Sequence, residues 1–247
     1  MLLEFSALQI FLTALIFIWS GFVRSGLGFG GAALSLPLLL IVYDQPIFWM
    51  PIIGAHLLLF SALTLRTRLR SISWEYLLRS MPIILPTTIA GVFGLISLPN
   101  KIILIFIYSV TLFYAIMWML RVTIHSSNRW VDRFLLALGG YIVGTSLSGA
   151  PLIVAVYMKN IAPQHLRNTL LLLWFVLVGI KMATFTVFDV DLQLDSALML
   201  VPVAAIGHII GLKLHDMILE KDQQFKRVIG VALLVVCVLG LWKILNS

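Results

Sequence analysis

The chain has 247 residues, of which 61% are hydrophobic and only 11% are charged, and its mean hydropathy is +1.08. A soluble domain carries roughly a quarter charged residues. This chain therefore lacks the polar surface that water requires, and the composition predicts a multi-pass membrane protein. The formal net charge of +7 does not indicate nucleic acid, because the basic residues lie in short loops between apolar runs, where they orient a membrane protein.

Taken in chain order, the apolar runs form eight continuous blocks, which favours helices over the alternating strands of a barrel. The blocks are 5–43, 46–65, 77–97, 102–120, 131–158, 166–188, 194–212 and 226–245. Six of them are close to the roughly 20 residues that a spanning helix needs. The first and fifth blocks are too long and are interrupted by glycine-rich sequence. These interruptions are RSGLGFGG, residues 24–31, here called the first break, and GTSLSGAP, residues 144–151, here called the second break.

Loop charges favour a model in which each interrupted block enters and leaves the membrane on the same side. Thirteen basic loop residues then share the cytoplasmic side, and only Lys101 and Lys243 lie outside. If each block instead crosses once, the division is eight inside and seven outside, with no bias. The positive-inside rule thus supports re-entrant or bent elements, with eight simple crossings as the alternative.

The two halves of the sequence resemble each other at an offset of 116–118 residues. Pro86 and Pro202 share this spacing, as do Gly91 and Gly207, and Gly31 aligns with Gly149. With one broken element and three spanning helices per half, the number of crossings is odd, so the second half is inverted. We therefore predict an all-α polytopic fold of two inverted homologous halves, residues 1–122 and 123–247, with the site where the broken segments meet.

Non-helical backbone at membrane depth is tolerated only when it is buried in protein or lines a watery cavity. Helix N-termini present unsatisfied N–H groups and partial positive charge, and glycine lets the backbone approach an anion closely. Two such N-termini would form an anion site without a metal. The residues we expect to bind the substrate are Arg24, Ser25, Gly28, Gly30, Gly31, Thr145, Ser146, Ser148, Gly149 and Ala150.

Four basic side chains lie away from the ends of the apolar blocks. Arg24 suits an oxyanion because it stays charged and has a planar fork, but it could also reach an interface or pair with Glu4 or another carboxylate. Lys181 could line the path or extend to the surface. His56 and His208 are candidates for proton coupling, with a neutral, hydrogen-bonded histidine as the alternative.

The sequences SGFVRSGLGFGGAALSLPLLL and GGYIVGTSLSGAPLIVAVYM resemble the two glycine-rich signatures of the sulfite exporter TauE/SafE family. The resemblance covers essentially the whole chain, including its length and duplication. It implies a membrane permease for sulfite, sulfonates or related small organic anions.

The functional prediction is a secondary transporter, an exporter, that moves a small anion across the cell (inner) membrane by alternating access. Coupling to protons or sodium ions is compatible with this prediction. No Walker, CxxC, GxSxG or HExxH pattern occurs, so we expect no metal, no cofactor and no enzymatic activity. The alternatives are an intramembrane enzyme that uses the histidines and serines, and a membrane scaffold that transports nothing.

Overall fold

The computed structural model describes residues 2–27, 31–122, 124, 128–214, 217 and 222–246. The described residues form ten α-helices and two short 3₁₀ turns, Leu2–Glu4 and Leu69–Ser71. The helices are α1 Ala7–Leu27, α2 Gly31–Val42, α3 Pro46–Leu65, α4 Trp74–Ser97, α5 Asn100–Met119, α6 Arg129–Ser146, α7 Ala150–Asn160, α8 Pro163–Val187, α9 Leu194–Lys213 and α10 Asp222–Leu245.

Among the described residues, seven helices are long and apolar enough to cross a membrane, namely α1, α3, α4, α5, α8, α9 and α10. The other three, α2, α6 and α7, belong to the two interrupted blocks, and α2 has only 12 residues. The prediction of an all-α polytopic membrane protein is confirmed. The inverted relation between the two halves stays a prediction.

The chain divides into two compact units, and each takes helices from both predicted halves. The first unit comprises Met1–Ile52, Leu98–Thr123 and Gln193–Ser247. It contains α1, α2, α5, α9 and α10. Its core includes the buried side chains of Val23, Leu34, Ala115, Ile229 and Leu233.

Glycines set the closest helix pairing of the first unit, between α1 and α9. A Cβ atom added at Gly207 would overlap the carbonyl oxygen of Ile18 and lie 2.9 Å from the backbone nitrogen of Phe22. A Cβ added at Gly211 would lie 3.0 Å from the Cβ of Ser25. Because lipid provides little hydrophobic force between helices, such close backbone approach is what holds two spans together.

The second unit comprises Ile53–Ser97 and Ile124–Leu192. It contains most of α3 together with α4, α6, α7 and α8. Here α4 and α6 pair in the same glycine-dependent manner, since a Cβ added at Gly91 would lie 3.0 Å from the Cα of Gly144 and the nitrogen of Thr145. The side chain of Asn128 caps α6 by accepting hydrogen bonds from the nitrogens of Trp130 and Val131, both at 2.9 Å.

Each interrupted block is a helical hairpin whose two ends come back together within its own unit. In the first unit, Gln9 Nε2 donates to the carbonyl of Val42 at 3.1 Å, so α2 ends beside the start of α1. In the second unit, Lys159 Nζ lies 3.0 Å from Asp132 Oδ2, so α7 ends beside the start of α6. Both blocks therefore begin and end at the same end of the hairpin, which is the geometry that a re-entrant element requires.

Candidate functional site

The first break lies at the turn of the hairpin formed by α1 and α2. Arg24 is in the last turn of α1, and its side chain is only 7% exposed. A Cβ added at Gly31 would lie 2.9 Å from both the Cβ of Arg24 and the carbonyl oxygen of Ser20. Glycine is therefore required at the start of α2, because any side chain there would push α2 away from the arginine.

Arg24 lies deep within its hairpin. The helical rise of about 1.5 Å per residue places it about 22 Å along α1 from Gln9, at the open end, against a hydrocarbon core about 30 Å thick. Glu4 precedes that open end and is exposed. Because of this distance, Arg24 does not pair with Glu4, which was an alternative that the sequence left open.

Two further serines, Ser20 and Ser35, fasten α2 to α1 beside this arginine. Ser20 Oγ of α1 donates to the carbonyl of Gly31 at the start of α2 at 3.4 Å. Ser35 Oγ of α2 donates to the same carbonyl at 2.6 Å and lies 3.3 Å from Ser20 Oγ. Both side chains are buried. Their hydroxyl groups therefore serve the hairpin itself, and Ser20 was not among the residues expected at the site.

Ser25 follows Arg24 and faces a different helix. Its hydroxyl shares a hydrogen bond with Nδ1 of His208 on α9. Ser25 is 3% exposed, whereas His208 is partly exposed. The first break thus meets one of the two histidines that the sequence marked for proton coupling. Gly28 and Gly30 of the same break lie outside the described residues.

The structure describes the whole backbone of the second break, and the residue with positive φ is a leucine rather than a glycine. α6 ends at Ser146, and Leu147 adopts a left-handed conformation with φ 58° and ψ 9°. Its nitrogen still donates to the carbonyl of Val143 at 3.0 Å. A leucine in this region costs of order 1–3 kcal/mol, so the surrounding packing must hold it there.

Gly149 serves close packing and helix initiation, and its own φ is −72°. A Cβ added there would overlap the carbonyl oxygen of Gly139 and lie 2.8 Å from the nitrogen of Val143. It is also the N-cap of α7, with no side-chain cap, and Pro151 follows in the first turn. The first turn of α7 therefore presents its N–H groups without a capping side chain, as an anion-binding helix start would.

The three hydroxyl groups of the second break donate to backbone carbonyls. Thr145 Oγ1 donates to Tyr141 at 2.9 Å and to Gly91 of α4 at 3.2 Å. Ser146 Oγ donates to Ile142 at 2.9 Å, and Ser148 Oγ donates to Ser146 at 3.2 Å. All three side chains are buried. They would have to rotate before they could donate to an anion.

Lys181 is buried against the second break and does not extend to the surface. Its side chain is 2% exposed, and Nζ donates to the carbonyl of Gly144 at 2.7 Å. The ammonium also lies 5.7 Å from the ring centroid of Phe185. Gly144 is in the last turn of α6, where the partial negative charge of the helix end favours a cation.

The sequence also singled out His56, which is completely buried on α3 with its ring 6.3 Å from that of Phe60.

The structure brings His208 to the first break and Lys181 to the second, each within its own unit. The sequence analysis did not identify Gly144 as the acceptor for Lys181. The available signal was Gly91, which aligns with Gly207 in the sequence repeat and packs directly against Gly144 in the structure.

The comparison with protein families gives one result that spans both breaks. The family model described as Sulfite exporter TauE/SafE matches residues 13–239. No curated protein and no solved structure matches the chain. The matched range runs from within α1 to within α10 and so includes both breaks and every helix between them. The chain therefore belongs to the sulfite exporter TauE/SafE family, a family of membrane transporters rather than enzymes.

Proposed function

We propose that this protein is a secondary transporter that exports sulfite, an organosulfonate or a related small anion across the cell membrane. In this proposal Arg24 of the first break is the main counter-charge for the anion, and the uncapped start of α7 in the second break supplies further N–H donors. Transport proceeds by alternating access, without a metal or cofactor.

The burial of Arg24 is the observation that carries this proposal. Placing an arginine inside a membrane costs at least roughly 2.5–3.5 kcal/mol, so a neutral residue would be more stable in a purely structural role. The side chain is 7% exposed and sits against the glycine that begins α2. A guanidinium is always charged and donates in a planar fork, which matches two oxygens of a sulfite or sulfonate group.

The second break supports the same class of ligand by a different means. The start of α7 has a glycine N-cap, which makes no side-chain hydrogen bond to the first N–H groups of the helix. The ammonium of Lys181 is held at Gly144, within the same break. A helix start and a nearby cation both favour negative charge.

Alternating access needs rigid elements that move together, and each hairpin is built as one. The first hairpin is joined at its open end by Gln9 and Val42, and the second is joined by Asp132 and Lys159.

A single negative charge that crosses alone gains or loses about 2.3 kcal/mol per 100 mV of membrane potential. An inside-negative potential therefore favours the outward movement of an anion that crosses without a counter-ion.

Anion binding to the purified full-length protein, measured by calorimetry and thermal shift, tests the proposal. The ligand panel contains sulfite, several alkylsulfonates and matched carboxylates. We expect Arg24→Met to weaken sulfonate binding by about 10- to 100-fold, because a charged hydrogen bond contributes about 1.5–3 kcal/mol. Arg24→Lys should recover only part of this, since a point charge lacks the fork.

The control variant is Arg66→Met, which removes an exposed arginine between α3 and α4. It should bind as the wild type does. Unchanged affinity in Arg24→Met would remove Arg24 from the site. If the wild type binds none of the anions, the scaffold alternative is the better account.

A further inference from the structure

We infer that His208 and Ser25 form a proton-linked switch that makes the first break bind its anion together with a proton. The inference rests on the proposed function, because it assigns the coupling ion of the same site. Its basis is the hydrogen bond between Ser25 Oγ and His208 Nδ1, one residue along α1 from Arg24.

The helix pair that carries this hydrogen bond is held close by backbone packing. Gly207, which precedes His208, lies directly against the backbone of Ile18 and Phe22. One turn further along α9, Gly211 packs against Ser25 itself, where an added Cβ would lie 3.0 Å from the serine Cβ. Side chains at these positions would separate α1 from α9, so the glycines fix the imidazole beside the hydroxyl.

The direction of the hydrogen bond depends on the protonation state of His208. When Nδ1 of the neutral ring has no proton, it accepts the hydroxyl proton of Ser25, and the serine then presents only lone pairs to an anion. When the ring is protonated, Nδ1 carries a proton and donates to Ser25. The serine can then donate its own proton to an anion held by Arg24. The neutral tautomer with a proton on Nδ1 also allows this, but only the cation enforces it.

Electrostatics act in the same direction as the hydrogen bond. Arg24 is the only charged or titratable side chain in the described part of α1, and α9 contributes Asp195, His208 and Lys213. Asp195 is about 20 Å from His208 along the helix, and Lys213 is about 140° around it. Arg24 adjoins Ser25, the hydrogen-bond partner of His208, so an anion that neutralises Arg24 favours a positive charge on the imidazole.

Because linkage is reciprocal, protonation of His208 strengthens anion binding by the same factor by which the anion strengthens protonation. The partial exposure of His208 gives protons a way to reach the ring. A carrier loaded in this manner moves a monovalent anion and a proton in one direction. An exporter of this kind removes acid from the cell, and the membrane potential neither drives nor opposes the loaded step.

The test measures alkylsulfonate binding to the full-length protein from about pH 8 to about pH 5, where histidine titrates and the sulfonate does not. Wild-type affinity should rise at least about fivefold as pH falls, and calorimetry in buffers of different ionisation enthalpy should show proton uptake on binding. His208→Gln, which keeps a hydrogen-bonding group without a titratable charge, should show neither effect. Ser25→Ala should lose most of the pH dependence while His208 is still present.

The matched control is His56→Gln, which alters the buried histidine of the other unit and should leave the pH dependence unchanged. Retention of the full pH dependence in a folded His208→Gln variant would overturn the inference. So would wild-type binding that is strong but independent of pH, an outcome that leaves the proposed function intact. If the wild type binds no anion at any pH, the proposed function fails and the inference fails with it.

Discussion

Substitution of Gly207 by alanine should uncouple His208 from Ser25 without altering either residue. The added Cβ would overlap the carbonyl oxygen of Ile18 and lie 2.7 Å from its carbonyl carbon, whereas ordinary contact begins at 3.4 Å. The two helices must therefore separate by at least 0.7 Å, and by more to clear the oxygen. A hydrogen bond of about 2.8 Å would be stretched to about 3.5 Å, which is the limit for such a bond.

We expect Gly207→Ala to lower the free energy of unfolding by about 1–3 kcal/mol, as overpacking of a close interface does. Alkylsulfonate binding should persist through Arg24 but should lose its pH dependence. Unfolding in detergent and calorimetry at two pH values measure the two effects. The matched control is Gly179→Ala in α8, where the nearest atom to an added Cβ is Leu58 Cδ2 at 4.0 Å. Wild-type stability and wild-type pH dependence in Gly207→Ala would refute this reasoning, as would an equal loss in Gly179→Ala.

Three further predictions concern the second unit. Lys181→Met should destabilise the protein by about 1–3 kcal/mol in thermal unfolding, because the buried carbonyl of Gly144 loses its donor. Gly149→Ala should displace α7 from α6 and weaken sulfonate binding in calorimetry, since its Cβ would lie 2.8 Å from the nitrogen of Val143. A double-mutant cycle with Asp132→Asn and Lys159→Gln should give a coupling energy below about 1 kcal/mol, because Lys159 is 41% exposed.

Much of the fold follows from the sequence because lipid restricts what the backbone can do. Continuous apolar runs in a membrane become helices, and glycine-rich interruptions end them. The breaks between α1 and α2 and between α6 and α7 were both visible in this way. The contacts that fold the hairpins back were not visible, because Gln9 and Val42 are far apart in sequence and no local pattern marks them as partners.

The second break shows why the chemistry of a turn is harder to predict than its position. Glycine is the usual residue with positive φ, and the turn between α6 and α7 contains Gly149. In the structure Gly149 packs closely against the backbone of Gly139, and Leu147 is the residue with the left-handed conformation. Close packing between helices thus accounts for the glycine, and the positive φ of the turn occurs at a residue with no intrinsic preference for it.

The hydroxyl groups illustrate a second limit of the same kind. Serines and threonines in a glycine-rich break suggest hydrogen-bond donors for a ligand, which is the role that the sequence predicts for them. In a bilayer, however, every buried hydroxyl needs an acceptor before any ligand arrives, and the nearest acceptors are carbonyls of its own helix. Ser146 and Thr145 accordingly donate to residues four positions earlier. Only a structure shows which hydroxyl also meets a titratable side chain, as Ser25 meets His208.

The arrangement of the units connects the packing of this protein with its proposed mechanism. In the first unit the broken hairpin of α1 and α2 packs on α9, and in the second the hairpin of α6 and α7 packs on α4. Each hairpin therefore depends on a helix from the other half of the sequence. Since both pairings rely on glycine backbones in direct contact, neither half alone can form either unit. The proton-linked pair follows the same pattern, because Ser25 comes from one half and His208 from the other, so coupling exists only once both halves have folded together.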